Sequence, residues 1–268
     1  MKNSSKVYAD LHIHTKESNG NLTLKEVPVV AKNEGVSVVA ITDHDCIHPE
    51  IDSPVINLKG VTVIRGIELR VEPESMNERI DLLGYFVSRT EDLQTELKRL
   101  QNDRIERAEK IINFVQKQFG VELDIETHSG IGRPHIAKAI DESEKIPPSY
   151  SDAFEDIISK DGPCYVERDA TSFKDGVELL SDACEVVSLA HPYRYGEPEK
   201  AIHLAQKELD GVEFYYPYSN NETPNFSVLK NKDFSNLLLT GGSDSHDKNI
   251  GQVGLPKYNF DRFTEKRG

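Results

Sequence analysis

The chain predicts an α/β fold built largely on parallel strands, and three observations predict it. Short apolar runs rich in Val and Ile alternate with helix-like stretches at close spacing, which favours parallel pairing through crossover helices. Glycine and polar clusters punctuate the two kinds of segment. The strand-like runs also end, one after another, in His, Asp or Glu, and in parallel α/β sheets functional groups gather at the carboxyl ends of strands.

The first run carries Val7, Ala9, Leu11 and Ile13 alternating with Tyr8, Asp10, His12 and His14. Side chains alternate across a strand with period 2, so His12 and His14 share a face and can present their rings to one ion. Lys16 to Leu24, with Asn19-Gly20, reads as a loop, and Lys25 to Asn33 as a helix closed by Gly35. Val36 to Thr42 is a compact strand running into Asp43-His44-Asp45. Val61 to Ile67 is another, delivering Glu68, and Arg79 to Val87 a third, with Asp81 among apolar neighbours.

The pattern then changes. Leu93, Leu97, Leu100, Ile105, Ala108, Ile111, Ile112, Val115 and Phe119 recur at helical steps from Thr90 onward, and Gly120 supplies the stop. Gly132-Arg133-Pro134-His135 opens another helix with Pro in its first turn, and helical material is expected to continue to about Lys160. Residues 90–170 therefore read as a helical insertion or cap, and 1–89 with 171–268 as the body. The α/β rhythm resumes with Lys174 to Cys184 as helix and Val186 to Ala190 as a strand ending in His191-Pro192. Ala201 to Leu209 is helix and Gly211 to Tyr215 strand. Leu237 to Thr240 is a last strand, delivering Gly241-Gly242-Ser243-Asp244-Ser245-His246.

Composition limits the function classes. Of 268 residues, 37% are hydrophobic and 29% charged, with a formal net charge of −14. That acidity opposes attraction to long duplex nucleic acid or anionic membranes, yet allows a phosphate ester where bound cations reverse the sign. Three dispersed cysteines form no Cys-x-x-Cys, which fits a reducing compartment, and the polar start resembles no signal peptide. A cytoplasmic protein is expected.

Taken singly, each candidate ligand has an ordinary explanation. His44 between two aspartates reads as a solvated turn, Glu68 as a surface acid, His191 before Pro as a bend, and Asp244 with His246 as a flexible loop. His48, Cys46 and His203 are read as structural. Together, six His, Asp or Glu residues ending five strand-like runs are poorly explained by packing. Imidazole with carboxylate suits Mn, Zn or Fe, and two or three such ions need a bridging carboxylate, for which Glu68 is placed.

Asp-Leu-His-Ile-His-Thr at 10–15, Ile-Thr-Asp-His-Asp at 41–45, Gly-Ile-Glu-Leu at 66–69, Gly-Arg-Pro-His-Ile-Ala at 132–137, Ala-His-Pro-Tyr-Arg-Tyr at 190–195 and Gly-Ser-Asp-Ser-His at 242–246 resemble the PHP (polymerase and histidinol phosphatase) superfamily. Within it, the Arg-Pro-His and His-Pro-x-Arg-Tyr segments are similar to the branch holding 3′,5′-nucleoside bisphosphate phosphatase and enzymes that trim RNA 5′ ends. The resemblance implies a distorted (β/α)7 TIM-like barrel with a helical insertion. It also implies two or three divalent ions at the barrel mouth, Mn first, with Zn or Fe as alternatives.

By that pattern His12, His14, Glu68 and Asp244 hold one ion, Glu68 and His191 a second, and His44 with His246 a third. The chain departs from the pattern twice. Asn19 stands where the family usually has Asp, and Asp81 where it usually has His; Asn19 offers only a neutral oxygen, whereas Asp81 remains an anionic ligand. The implied activity is hydrolysis of phosphomonoesters of small nucleotides or short oligonucleotides by a metal-bound hydroxide. Asp244 or His191 handles a proton, and Arg133, His135 and Arg194 bind phosphate oxygens. A histidinol-phosphate-type phosphatase and a non-catalytic metal-binding scaffold are the alternatives.

Overall fold

The computed structural model describes residues 6–143, 152–218 and 237–266. Contacts divide the chain into two compact units, 1–94 with 170–268, and 95–169.

The first unit is organised by a nine-stranded mixed sheet. Its strands are β1 (Ala9–Ile13), β2 (Val38–Ile41), β3 (Val55–Leu58), β4 (Val61–Glu72), β5 (Ile80–Tyr85), β6 (Thr171–Ser172), β7 (Val186–Leu189), β8 (Gly211–Tyr215) and β9 (Leu238–Gly241). The order is β1-β2-β4-β5-β7-β8-β9, with β3 and β6 both pairing β4. Pairing is parallel at β1–β2–β4 and at β7–β8–β9, but β5 runs antiparallel to both β4 and β7. Strict crossover pairing therefore fails at β5. Only the Pro73–Arg79 turn separates β4 from β5, too short for the helix that a parallel return requires.

The sheet curls until its ends meet. Ser245 N donates to His12 O at 3.2 Å and His14 N to Ser245 O at 2.9 Å, while Leu255 N donates to Ala9 O at 2.7 Å. The segment after β9 thus acts as a neighbour of β1 and closes the barrel, which leaves few free edges. Strands buried on both faces read as continuous apolar runs, and β1, β2, β5 and β7 are buried at every position. Leu11, Ala40, Ile64, Leu83 and Phe263 form one core layer; Ile13, Val27, Val39, Ile41 and Val63 form another.

Helices α1 (Val27–Asn33), α4 (Phe173–Ala183), α5 (Pro198–Glu208) and α6 (Lys257–Glu265) belong to this unit. Each buries a small apolar set, such as Ala201, Ile202 and Ala205 on α5. β3 and α6 were not foreseen in the sequence. Val55-Ile-Asn-Leu58 is only four residues long, and α6 carries Lys, Asn, Asp and Arg around a single buried Phe263.

The second unit is built on α2 (Glu91–Phe119), ended by Gly120 at φ 69°, and α3 (Arg133–Glu142). Ala108, Ile111 and Val115 of α2 pack with Ile136, Ala137 and Ile140 of α3 and with Ile157 and Cys164. The expectation of helix to Lys160 is corrected here. Residues 144–151 lie outside the described part, Ala153–Ile157 form a single π-type turn capped by Asp152, and no helix follows it before α4. Among the described residues, no helix is long and apolar enough to cross a membrane.

Barrel closure leaves no room at Gly242. A Cβ there would lie 2.3 Å from His12 N and 2.4 Å from His12 Cβ, so Gly242→Ala must push β1 away. The substitution is expected to destabilise the protein by at least about 1–3 kcal/mol in urea unfolding. An unchanged midpoint would show that the two segments do not pack so closely.

Candidate metal centre

The carboxyl ends of β1, β2, β7 and β9, with the middle of β4, bring the predicted residues together. Glu68 is at the centre, 1% exposed. Its Oε2 lies 2.7 Å from His44 Nδ1 and 3.3 Å from His14 Nε2, and its Oε1 lies 3.2 Å from His191 Nε2 and 3.5 Å from His12 Nε2. Asp244 Oδ1 approaches His14 Nε2 at 3.1 Å, His12 Nε2 at 3.5 Å and His246 Nδ1 at 3.6 Å.

Among the described residues three groups of donor atoms result, two of them sharing His14: His12, His14 and Asp244; His14, His44 and His246; and Glu68, Asp81 and His191, with donors in each group within 4.8 Å of one another. His12 Nε2, both ring nitrogens of His14 and Glu68 Oε2 are buried without a hydrogen-bond partner. Buried polar atoms are rarely left so, and unpartnered ring nitrogens beside carboxylate oxygens fit cations. The residues present therefore suit divalent ions. His44 is no solvated turn: Asp43 and Asp45 on either side are 0% and 1% exposed, and Asp45 N donates to Glu68 O at 2.8 Å.

Backbone strain collects at the same place. Asp45, His191 and Asp244 have φ of 50°, 26° and 49°, a region non-glycine residues rarely occupy. Such conformations persist where surrounding bonds over-determine them, and they cluster at functional sites.

The electrostatics follow from the packing. Burial opposes charge on His12, but Glu213, Asp244 and Glu68 around it raise its pKa well above the usual imidazole range. His191 is raised in the same way, against its own burial, by Glu68. Asp244, although buried, is held far below the usual carboxylate range by His12 and His14. Burial works against charge on Glu68 as well, yet His44 and His12 hold its carboxyl well below the ordinary value.

Several supporting residues escaped sequence reasoning. Glu213 on β8, fully buried, accepts from His12 Nδ1 at 3.0 Å and from the His191 backbone N–H at 2.8 Å, fixing two candidate ligands at once. Asp10 accepts from Ser243 N and Oγ and from Gly251 N, tying β1 to the loop after β9; burial pushes its pKa up to about 6. Asp43 accepts from Thr15 N, Thr15 Oγ1 and Ser18 Oγ, holding the loop after His14. The available signal was the strand parity: Glu213 is the one charged residue in Gly-Val-Glu-Phe-Tyr.

Asp81 is placed near the centre, 3.8 Å from His191 Nε2, but both its oxygens are engaged by Arg70, Nε to Oδ1 and Nη2 to Oδ2, each at 2.7 Å. Arg70 and Asp81 are register partners across β4–β5. Asn19 Oδ1 accepts from Ser18 Oγ at 3.4 Å. Arg194 Nη1 reaches Asp244 Oδ2 at 3.3 Å and Tyr216 Oη at 3.0 Å, and Tyr216 Oη donates to the same Oδ2 at 2.8 Å. Arg133 and His135 belong to the second unit. There Arg133 stacks over Phe154 and donates to Ile158 O, and His135 Nδ1 accepts from Gly132 N at the start of α3.

Residues 10–248 match the PHP domain model. The chain belongs to the PHP domain family. Phosphoribosyl 1,2-cyclic phosphate 1,2-diphosphodiesterase of Eggerthella lenta is 24% identical over 91% of this chain and 95% of that protein. The 5′-3′ exoribonuclease Rnm of Escherichia coli is 27% identical over 90% and 85%. A 3′,5′-nucleoside bisphosphate phosphatase of Chromobacterium violaceum is 26% identical over 69% and 67%. An amidohydrolase from C. violaceum, solved with sulfate, superposes with a TM-score of 0.73 over 97% of this chain and 96% of that one, at 20% identity. That likeness supports the fold alone. These PHP relatives act on phosphoric esters, and the chain is a phosphoesterase of the family.

Two substitutions test the arrangement through metal content. Glu213→Gln, which weakens the hold on His12 and His191, is expected to lower divalent-ion affinity by about 10–100-fold in a chelator competition. Arg70→Met removes a fixed cation from beside Glu68, Asp81 and His191. It should tighten the weakest-bound ion by about tenfold, a change that calorimetric titration would detect. Weaker binding in Arg70→Met would mean that Arg70 orients Asp81 for the ion rather than competing with it.

Proposed function

We propose that the chain hydrolyses phosphomonoesters of small nucleotides, such as 3′,5′-nucleoside bisphosphates, or of short oligonucleotides, in a centre holding two or three divalent ions, Mn before Zn or Fe. The observation that carries this reading is the set of three His and His/carboxylate donor groups gathered around buried Glu68 and His14. The names of the phosphatase and exoribonuclease relatives support the nucleotide character of the substrate. His12, His14, His44, Glu68, His191, Asp244 and His246 are the ligands in this reading. Asp81 is a further one if its pairing with Arg70 relaxes, and Asn19 contributes at most a neutral oxygen. Bound ions would supply neutralisation of the phosphoryl oxygens and a water acidic enough to attack at neutral pH.

The chain's own residues do the rest. In this reading Asp244 or His191 would handle a proton; Tyr216 and Arg194 fix Asp244 Oδ2, while its Oδ1 faces His12 and His14. His191 is the other group able to hold that proton, through an Nδ1 that is buried and makes no hydrogen bond. Arg194 has a forked donor set suited to phosphate oxygens and keeps one nitrogen on Tyr216 and Asp244. Three free cysteines support a cytoplasmic setting.

The test is Mn-dependent release of phosphate from 3′,5′-bisphosphorylated adenosine, with histidinol phosphate and 5′-phosphorylated oligonucleotides alongside. Turnover should vanish with chelator and return with Mn. Glu68→Gln and Asp244→Asn should each lower kcat/KM by at least about a hundredfold. Preference for histidinol phosphate would replace the substrate assignment. Stoichiometric metal with no turnover of any phosphoester would overturn the proposal and leave a metal-binding scaffold, the alternative that Asn19 raises in the sequence.

A further inference from the structure

Arg70 stands at the edge of the metal centre, and no step of the proposed hydrolysis uses it. On β4 it is two residues beyond Glu68, and strand side chains alternate, so the two share a face. The β4–β5 register sets Arg70 opposite Asp81, and the guanidinium closes on that carboxylate through Nε to Oδ1 and Nη2 to Oδ2, each at 2.7 Å. Asp81 Oδ2 in turn lies 3.8 Å from His191 Nε2, and His191 Nε2 lies 3.2 Å from Glu68 Oε1. One carboxylate therefore separates the arginine head from two of the candidate ligands.

The two partners are unequally enclosed. Side-chain exposure is 4% for Asp81 but 36% for Arg70, so the carboxylate is shut in while the arginine keeps access to solvent. A guanidinium carries five N–H donors in a rigid fork. Asp81 takes two of them, from Nε and Nη2. Nη1, which has two more, makes no hydrogen bond among the described residues. Stability does not account for such a pair, because desolvation offsets much of the attraction and apolar residues of similar volume often serve as well. Asp81 fixes the head by one edge and leaves the other available, and that second edge has the paired donors that phosphate oxygens accept.

We propose that Arg70 is a substrate-binding residue, whose Nη1 edge donates to nonbridging oxygens of the phosphoryl group held at the centre. It is a fixed cation built into the β4–β5 pair. The inference deepens the phosphoester reading of that centre and rests on a phosphoryl group being bound there. Asp81 is then a positioning residue that aims the guanidinium. A carboxylate can hold both Nε and Nη2 at once, which a single imidazole nitrogen at position 81 could not do.

The test is calorimetric titration of the full-length, Mn-saturated protein with inorganic phosphate. Arg70→Met combined with Asp81→Asn removes both charges together, so the net charge beside Glu68 and His191 is kept while the fork is lost. Phosphate should bind this double variant about tenfold or more weakly, the loss expected for a charge-assisted bond, at an unchanged Mn content per chain by elemental analysis. An unchanged phosphate affinity would overturn the proposal. So would a weakening that accompanies a lost ion, since Arg70 would then act through the metal. If the double variant fails to fold, phenylglyoxal modification of the parent with peptide mass mapping takes its place. Phosphate should slow modification at Arg70 relative to chloride at equal ionic strength, and equal rates would overturn the proposal. Arg70-dependent phosphate binding in a protein that turns over no phosphoester would sink the hydrolytic reading and leave this one standing. Turnover in a protein whose phosphate affinity ignores Arg70 would do the reverse.

Discussion

A carboxylate buried to 1% exposure is costly unless cations or donors surround it, and Glu68 is surrounded by four imidazoles within 3.5 Å. That single charge organises the centre. His12 and His14 reach it from β1, His44 from the end of β2, and His191 from the end of β7, so strands far apart in sequence must converge for the charge to be tolerated. The converse also holds: Glu213, Asp244 and Glu68 raise the pKa of His12 against its burial, and Glu68 does the same for His191.

Convergence depends on closing the sheet. The bonds between His12, His14 and Ser245 carry the segment after β9 against β1, and Gly242 lets the two backbones touch. Around the candidate ligands is a layer of acids that never meet the central space directly. Glu213 orients His12 and the His191 backbone, Asp10 joins β1 to Ser243 and Gly251, and Asp43 braces Thr15 and Ser18. These bonds hold His191 and Asp244 in conformations that cost free energy in isolation. Rigidity here comes from satisfied polar groups, not from apolar packing alone.

Much of this was legible in the sequence, for identifiable reasons. The His-x-His parity of β1 and the position of Glu68 after an apolar run are local patterns, and period-2 geometry converts them into a shared face. The insertion helix α2 announces itself through Leu93, Leu97, Leu100, Ala108, Ile111 and Val115, all buried as their spacing requires. The antiparallel turn into β5 was less legible, since strand direction depends on connection length and closure rather than on composition. Glu213, Asp10 and Asp43 looked like ordinary acids because their partners are 201, 233 and 28 residues away. Distance along the chain conceals a supporting residue more effectively than it conceals a ligand, which has a neighbouring motif to mark it.

Asp81 shows how one position alters the balance of a centre. The β4–β5 register sets it opposite Arg70, and cross-strand neighbours of opposite charge pair readily. A histidine at this position would be neutral and would leave Arg70 with no carboxylate there. The acid brings a negative charge, and Arg70 cancels it through two bonds of 2.7 Å. The group of Glu68, Asp81 and His191 therefore presents about one net negative charge rather than two, and an incoming cation must share Asp81 with a guanidinium that cannot lose its proton. Cation binding at this group is consequently tied to the β4–β5 pairing as much as to the candidate ligands themselves.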